Sequence, residues 1–523
     1  MREFKKNEYL ETEIIDMDDS GQGIGKIDGF TLFIKDAVIG DVVYAKIMKV
    51  KKNYGFAKLE KVLSPSPFRI EPRCRFAKEC GGCQLQALSY EAQLRFKENK
   101  VLNHLVRIGG FDEGFIREAM EPIIGMAEPF HYRNKAQYPV GRDKKEQAVA
   151  GFYAGRTHDI IANTDCHLGY KENQDILKTI LAFLNTYHIA PYDEGSQKGY
   201  VRHILIRQGY VSGEIMVCLV INADELPKAD RLVEKLITNE RIKSICLSIN
   251  KEKTNVIMGK EIKVLYGKGT ISDELGGITF EISPLSFYQI NPVQTEKLYA
   301  KALEYAQLHG EETVWDLYCG IGTISLFMAK QAKQVYGVEI IPEAIEDAKR
   351  NALRNHISNA EFYVGKAEEV LPQFYEKEKA SGRQATADVI VVDPPRKGCD
   401  EVCLETMLKM KPKRIVYVSC DSATLARDLR ILCEKEYKLE KVQCVDQFGQ
   451  TVHVETVALL SQRKADDYVE VELELDELDL TTAANLENDN SQGIPKSEDS
   501  RQPQCLVEKE KAIRDALEHF GMI

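Results

Sequence analysis

The chain has 523 residues, 44% of them hydrophobic and 29% charged, with a formal net charge of −11. That length suits roughly three or four domains, each able to bury a core, and the acidic balance speaks at first against a nucleic-acid partner. No stretch approaches about 18 uncharged apolar residues and MREFKKNEYLETEII has no apolar leader core, so a cytoplasmic protein without a membrane span is expected.

Residues 1–62 read as all-β. Short alternating runs beginning at Leu10, Phe30, Asp41 and Gly55 are separated by glycine-bearing turns, which suits a small OB-like barrel. Its last third carries Lys46, Lys49, Lys51, Lys52, Lys58 and Lys61 around Tyr54 and Phe56. Basic residues interleaved with aromatics can track a phosphate backbone and stack bases. Residues 63–279 read as a mixed α+β central domain, with strands near Val201 and Ile215 and a helix around Ala229. In residues 280–462 strands and helices alternate from about 310 onward, the pattern of a doubly wound parallel sheet. Residues 463–523 hold 7 basic and 16 acidic residues, leaving 63 and 65 to the rest of the chain. The body is therefore nearly neutral and RNA is not excluded. The acidic tail is too polar for a core and reads as disordered, with a possible short helix from Cys505 to Ile523.

Four motifs place chemistry on the α/β region. In VWDLYCGIGTISL, from Val314, an apolar strand ends in Asp316 and a turn with Gly320 and Gly322 precedes a helix. Glycine lets a ligand approach the backbone closely, and Glu339 ends the next strand, where a carboxylate can accept both ribose hydroxyls. The spacing is not GxGxxG, so a ribose-bearing cofactor without pyrophosphate is indicated, and S-adenosylmethionine fits best. In ADVIVVDPPRKG a strand stops at Asp393 before two rigid prolines. Arg396 stands where enzymes that methylate exocyclic amines often have an aromatic. In RIVYVSCDSATLARDL, Cys420 sits between a strand and a helix capped by Asp421 or Ser422, a position that favours thiolate. In VHVETVALL, Glu455 opens an apolar strand, where a carboxylate is unusual unless paired or catalytic. Ahead of these, Asn291, Pro292 and Gln294 form a helix start that leaves Gln289 in a loop able to contact substrate or cofactor.

The 13 cysteines, an odd number, read as thiols, metal ligands or catalysts rather than a complete disulfide set. Cys74, Cys80 and Cys83 form a C-x5-C-x2-C cluster, with Cys166 downstream. Three close thiols and one remote suit a 4Fe–4S cluster or tetrahedral zinc, with His167 an alternative zinc ligand.

Together the motifs FYQIN, DLYCGIG, GVE, VDPPRKG, SCDSATLARD and HVE, in this order, resemble the RNA (uracil-5-)-methyltransferases. The similarity covers about residues 1–462 and is nearest the bacterial 23S ribosomal RNA subgroup, which adds an N-terminal TRAM barrel and a 4Fe–4S cluster. It implies a Rossmann-like class I methyltransferase domain acting, as a monomer, on RNA. It further implies Cys420 as nucleophile and Glu455 as base, with Gln289, Tyr318, Glu339 and Asp393 contacting S-adenosylmethionine. Cys74, Cys80, Cys83 and Cys166 would hold the cluster. A transfer-RNA methylase, or a catalytically silent RNA-binding protein with a cluster, are the alternatives. Three positions depart from the pattern: Phe448-Gly449 for Phe-Pro, Lys366 for an Asp, and Ile39-Gly40-Asp41 for Pro-Gly-Glu.

Overall fold

The computed structural model describes residues 3–463 except Arg156, Thr254 and 382–386; the acidic tail and its possible helix lie outside the described residues. Strands β1 (Tyr9–Met17), β2 (Gly23–Ile27), β3 (Phe30–Lys35), β4 (Val42–Val50) and β5 (Tyr54–Ser64) close into a barrel. Every second residue of β1, from Leu10 to Ile14, turns into its core with Leu32, Val43 and Ile47, as period-2 alternation requires. The departing Asp41 is fully buried and accepts from the Val38 and Ser66 amides and, through both oxygens, from Arg69, at 2.6–3.0 Å. It locks the end of the barrel to the chain that leaves it.

Two helices follow, α1 (Tyr90–Arg107) and α2 (Glu113–Ala119), then a short strand β6 (Met120–Ile124). The central sheet comprises β7 (Lys135–Arg142), β8 (Ala148–Tyr153), β9 (Ile160–Ala162), β10 (Val201–Gln208), β11 (Ile215–Ile221), β12 (Ile242–Ile249) and β13 (Glu261–Gly267). Helices α3 (Glu172–Thr186) and α4 (Ala229–Leu236) pack on one face of it through Ile176, Ile180, Phe183 and Leu232. A hairpin, β14 (Ile271–Leu275) and β15 (Ile278–Ile282), leads into α5 (Pro292–Ala306), which starts where the sequence places it. The Asn291 side chain accepts from the Gln294 amide, and Pro292 occupies the first turn.

The remaining elements build the catalytic sheet. They are β16 (Thr313–Leu317), α6 (Thr323–Ala329), β17 (Gln334–Glu339), α7 (Pro342–Arg354), β18 (Ala360–Val364) and α8 (Ala367–Ala380). Then come β19 (Val389–Val392), α9 (Glu401–Met410), β20 (Arg414–Ser419), α10 (Ser422–Lys435), β21 (Tyr437–Val445) and β22 (Glu455–Gln462). Strand order is β18-β17-β16-β19-β20-β22-β21-β6. The first five run parallel, and the order reverses between β16 and β19, the point at which doubly wound sheets open a ligand crevice. Strand β22 runs antiparallel to β20, with Ser419 opposite Thr456. The beginning of β22 therefore lies at the same sheet edge as the ends of the parallel strands.

Strand β6 is the finding the sequence did not signal. It extends the catalytic sheet from outside, pairing with β21, while α1 and α2 bury Val101, Leu105 and Ile116 in the catalytic core. The segment is also tied to that core by charge. Lys97 and Asp446, both with fully buried side chains, meet at 2.5 Å, and Tyr90 donates to the second oxygen of Asp446 at 2.8 Å. Removing one partner of such a pair strands a buried charge and destabilises by roughly 3–5 kcal/mol, whereas a packed apolar pair of similar volume can be nearly neutral. Lys97→Met should thus lower the urea midpoint markedly, and Lys97→Met with Asp446→Leu should recover most of the loss. Equal midpoints for the single and double variants would show that the pair is not what holds these elements together.

Candidate active site

At the crevice, the turn after β16 is forced into left-handed backbone: Tyr318 has φ +79°, Gly320 +55° and Gly322 +82°. At Gly322 a Cβ would press on Phe362 and Ala348 at 3.1–3.2 Å, so only glycine fits the turn against α7 and β18. The Tyr318 hydroxyl is engaged by Cys403. What this residue offers a ligand is ring and backbone rather than a free phenol. Glu339 accepts from the Gly320 amide at 3.3 Å on one oxygen and from the Ile341 amide at 3.0 Å on the other. A carboxylate so fixed, at the end of β17, keeps lone pairs for a diol.

Two further carboxylates sit deeper. Asp316 is fully buried, its Oδ2 held by Ser325 at 2.5 Å and its Oδ1 without a partner. Burial, the larger cause, and then the charge of Glu339 raise it to about 7, against the hydrogen bond from Ser325. Asp393 is also raised to about 7, by burial and then by Asp316. Tyr299, buried on α5, donates to or accepts from Thr323 at 3.2 Å and hydrogen-bonds the Gln289 side chain, while feeling the charge of Asp393. The structure thus draws Gln289 to the crevice through a residue that the sequence did not single out. A Tyr on an ordinary amphipathic helix carries no local signal of that role.

Cys420 and Glu455 face the same space from β20 and β22. Glu455 is 3% exposed and raised to about 8, by burial first and then by Asp393, with Arg396 opposing. Burial and the neighbouring Glu455 and Asp393 push the Cys420 thiol up to about 12, again with Arg396 opposing. The charge of Asp421 adds to this rise, so the helix start does not by itself favour the thiolate. The helix that follows is capped by Asp421, whose carboxylate takes the Ala423 and Thr424 amides at 3.0 and 3.1 Å, so the helix start is already neutralised. Arg396 is then the cation common to both groups. Its backbone carbonyl accepts from Thr424 at 3.1 Å, and Asp428 pins the loop behind it by accepting from the Cys399 amide at 2.9 Å. His453, beside Glu455 in sequence, is lowered to about 4 by burial and nearby cations, so it is neutral and structural, packed on Phe448.

The four cluster cysteines lie apart from this edge. Among the described residues no group of three or more His, Cys, Asp or Glu side chains is arranged to hold a metal ion. The four thiols are nevertheless near one another. Cys83 is raised to about 12 by burial and by Cys166, Cys80 and Cys74 in turn, against a hydrogen bond from Gln86. Backbone amides of Gly82, and of Leu168 and Gly169, point at the sulfurs of Cys80 and Cys166. Such donors suit sulfurs that carry negative charge.

The crevice brings the Cys420 thiol, the carboxylates of Glu455, Asp393 and Glu339, and Arg396 to one edge of the sheet. The family described as tRNA (Uracil-5-)-methyltransferase matches residues 118–463, and the TRAM domain matches residues 3–59. An uncharacterized RNA methyltransferase of Clostridium tetani is 48% identical over 458 residues, 87% of this chain and 97% of that protein. A second, from Halalkalibacterium halodurans, is 49% identical over 456 residues, again 87% and 97%. Among solved structures, the Pyrococcus abyssi tRNA (uracil-54, C5)-methyltransferase in complex with S-adenosyl-L-homocysteine superposes with TM-score 0.67 at 27% identity. That match spans 86% of this chain and all of the other. Among the described residues no helix is long and apolar enough to cross a membrane.

Burial raises Glu455 to about 8, so a reaction that uses its carboxylate as base should show kcat/KM rising with pH between about 6.5 and 8.5. Arg396→Gln removes the charge that favours the ionised forms of Glu455 and Cys420, so the rising limb should move to higher pH. An unmoved limb with reduced amplitude would assign Arg396 to substrate contact instead.

Proposed function

The chain belongs to the tRNA (uracil-5-)-methyltransferase family, and we propose that it methylates C5 of a uridine in ribosomal RNA. The observation that carries the reaction is the meeting of Cys420, Glu455 and Arg396 at the edge that also presents Asp393 and Glu339. S-adenosylmethionine, when bound, supplies an electrophilic methyl group on a cationic sulfonium. The residues that would hold it are Glu339, whose carboxylate suits a ribose diol, Gln289, the Tyr318 turn and Asp393. The ring carbon C5 of uracil is a poor nucleophile. Cys420, its thiol proton released to solvent, adds through Sγ to C6, which loads electron density onto C5 so that it would take the methyl group from the sulfonium sulfur, leaving a neutral thioether. Glu455 then removes the proton from C5, and the C6–Sγ bond breaks to return the thiolate. Arg396 offsets the charge that forms on Cys420. The uridine must leave its stack to reach this edge.

The barrel supports RNA as the partner. Tyr54 is exposed and packs with Phe33 and Phe56, and Lys46 lies over the ring of Tyr9 at 5.4 Å. The added barrel and four-cysteine set favour ribosomal over transfer RNA. We also propose that Cys74, Cys80, Cys83 and Cys166 hold a 4Fe–4S cluster. The support is that the four thiols lie within electrostatic reach of one another and that backbone amides point at the sulfurs of Cys80 and Cys166. No step of methyl transfer needs it; its role here is to tie Cys166 to the Cys74–Cys83 loop.

Unmodified ribosomal and transfer RNA, offered with labelled methyl donor, should receive label as 5-methyluridine at a defined position in ribosomal RNA. Label confined to transfer RNA would move the substrate assignment and leave the reaction intact. Cys420→Ala should abolish turnover, while Glu455→Gln should slow it by roughly 10²–10⁴-fold and accumulate a protein–RNA adduct visible by gel shift. Protein purified without oxygen should contain about four irons and four sulfides per chain, lost in Cys80→Ser; stoichiometric zinc would replace the cluster with a metal ion.

A further inference from the structure

A cavity of about 540 Å³ opens between the cysteine loop and the central sheet, away from the catalytic crevice. That volume lies within the range of small-ligand pockets, roughly 300–1,000 Å³. Arg73, Arg75, Phe76, Asn163, His167 and Gln174 line it together with Cys74 of the cysteine loop, and Leu181 is among its apolar residues. Arg73 lies over the ring of Phe130 at 4.8 Å and Arg75 over Phe76 at 4.6 Å. Among the described residues neither guanidinium is paired with a carboxylate. Both are exposed, held flat on aromatic rings, with donors left over. Asn163 is 5% exposed and spends its Oδ1 on the Asp165 amide at 3.0 Å, which leaves its NH₂ group; the Gln174 amide has no side-chain partner among the described residues.

We propose that this cavity is a second nucleotide subsite, which takes an unstacked nucleotide of the RNA whose target uridine enters the catalytic crevice. The proposal rests on the reading of the protein as an RNA methyltransferase. Its chemistry matches a nucleotide on each count. The arginines suit phosphate, Phe76 and His167 suit a base face, and the two amides suit base-edge donors and acceptors. Asp165 on the same rim favours a base with an exocyclic amine over a bare phosphate at that end.

Continuity with the catalytic edge singles out RNA over a free small anion. Residues 130–134 form one short segment between the two sites. On the cavity side His131 meets Arg73 at 3.5 Å, and the His131 amide donates to the His167 carbonyl at 2.8 Å. On the other side Tyr132 donates to the Gly449 carbonyl at 3.0 Å, in the loop that leads to Glu455. Asn134 donates to the Gln289 carbonyl at 2.9 Å. One strand of RNA following this segment would place one base in each site.

The test is a binding cycle on the RNA fragment that carries the uridine methylated by the wild-type protein. Each neighbouring nucleotide is replaced in turn by an abasic residue, and affinity is measured for wild type, Arg75→Gln and Gln174→Ala. One abasic position should weaken wild-type binding about tenfold. Gln174→Ala should weaken the intact RNA yet show little further loss at that one position. Arg75→Gln should reduce the slope of log affinity against log salt by about one. Metal content and absorbance equal to wild type certify that the cysteine loop is undisturbed. Additive losses at every abasic position, with an unchanged salt slope, would overturn the subsite while methylation of the fragment leaves the parent reading standing. If wild type methylates no RNA, the parent reading fails; the same cycle, run on the tightest-bound fragment, still decides the subsite because it is read by binding alone.

Discussion

The buried contact between Lys97 and Asp446 is the constraint on which the catalytic edge depends. The loop after β21 must carry the chain from one end of that strand back to Glu455 without regular backbone pairing. Lys97 reaches past Asp446 to the Phe448 carbonyl at 3.1 Å, and Gln93 pairs with Gln450 through both its amide nitrogen and oxygen. Gln84 and Leu85 amides both donate to the Gln450 carbonyl. Helix α1 is thus a splint laid along the loop, and the position of Glu455 is inherited from residues more than 350 positions earlier in the chain. Desolvating a lysine and an aspartate is costly, and packing alone could have joined α1 to the sheet. Charge adds a single registry, since only one arrangement satisfies Tyr90, Lys97 and the Phe448 carbonyl together.

A second constraint is electrostatic. Burial raises Asp316, Asp393 and Glu455 to about 7, 7 and 8, and charge adds to it in sequence: Glu339 acts on Asp316, Asp316 on Asp393, and Asp393 on Glu455. Arg396 is the cation that opposes these shifts at Cys420 and Glu455, and the crevice holds more carboxylates than its own cations favour as anions. Such a site is complementary to a ligand with a fixed positive charge, which would let the carboxylates ionise together. The resting thiol of Cys420 belongs to the same logic. A thiolate at half-buried Cys420, beside Glu455, Asp393 and Asp421, is disfavoured unless a cation offsets their charge.

Much of this edge was legible in the sequence because parallel strands announce their ends. Asp316, Glu339, Asp393 and Cys420 each close or follow an apolar run, and a doubly wound sheet sends all such ends to one side. Glu455 was legible for the opposite reason: it begins a strand, and β22 runs antiparallel, so beginnings and ends coincide. What the sequence hid depends on distance. Tyr299, the β6 strand and the Lys97–Asp446 pair involve partners far apart in the chain, and none has a local pattern of its own. The cap itself was legible at Asp421, but not that its carboxylate takes two of the helix's first amides and sets a negative charge beside Cys420.

The barrel is joined to the nucleophile as directly as α1 is joined to the base. Asp19, just past β1, contacts His104 Nε2 at 3.1 Å, and His104 Nδ1 meets Ser422 Oγ at 2.8 Å, two residues after Cys420. Asp41 and Arg69 fix the other end of the barrel to the segment that enters the cysteine loop. A barrel on a loose tether would add affinity for RNA without orienting it, because effective concentration alone carries no direction. Held at both ends, it keeps Tyr54 and Phe56 at a fixed orientation relative to Cys420. The nearly neutral net charge of the first 462 residues then has a physical meaning. RNA recognition in this chain relies on where a few lysines, arginines and aromatic rings are held, and less on an overall excess of positive charge that would bind any polyanion.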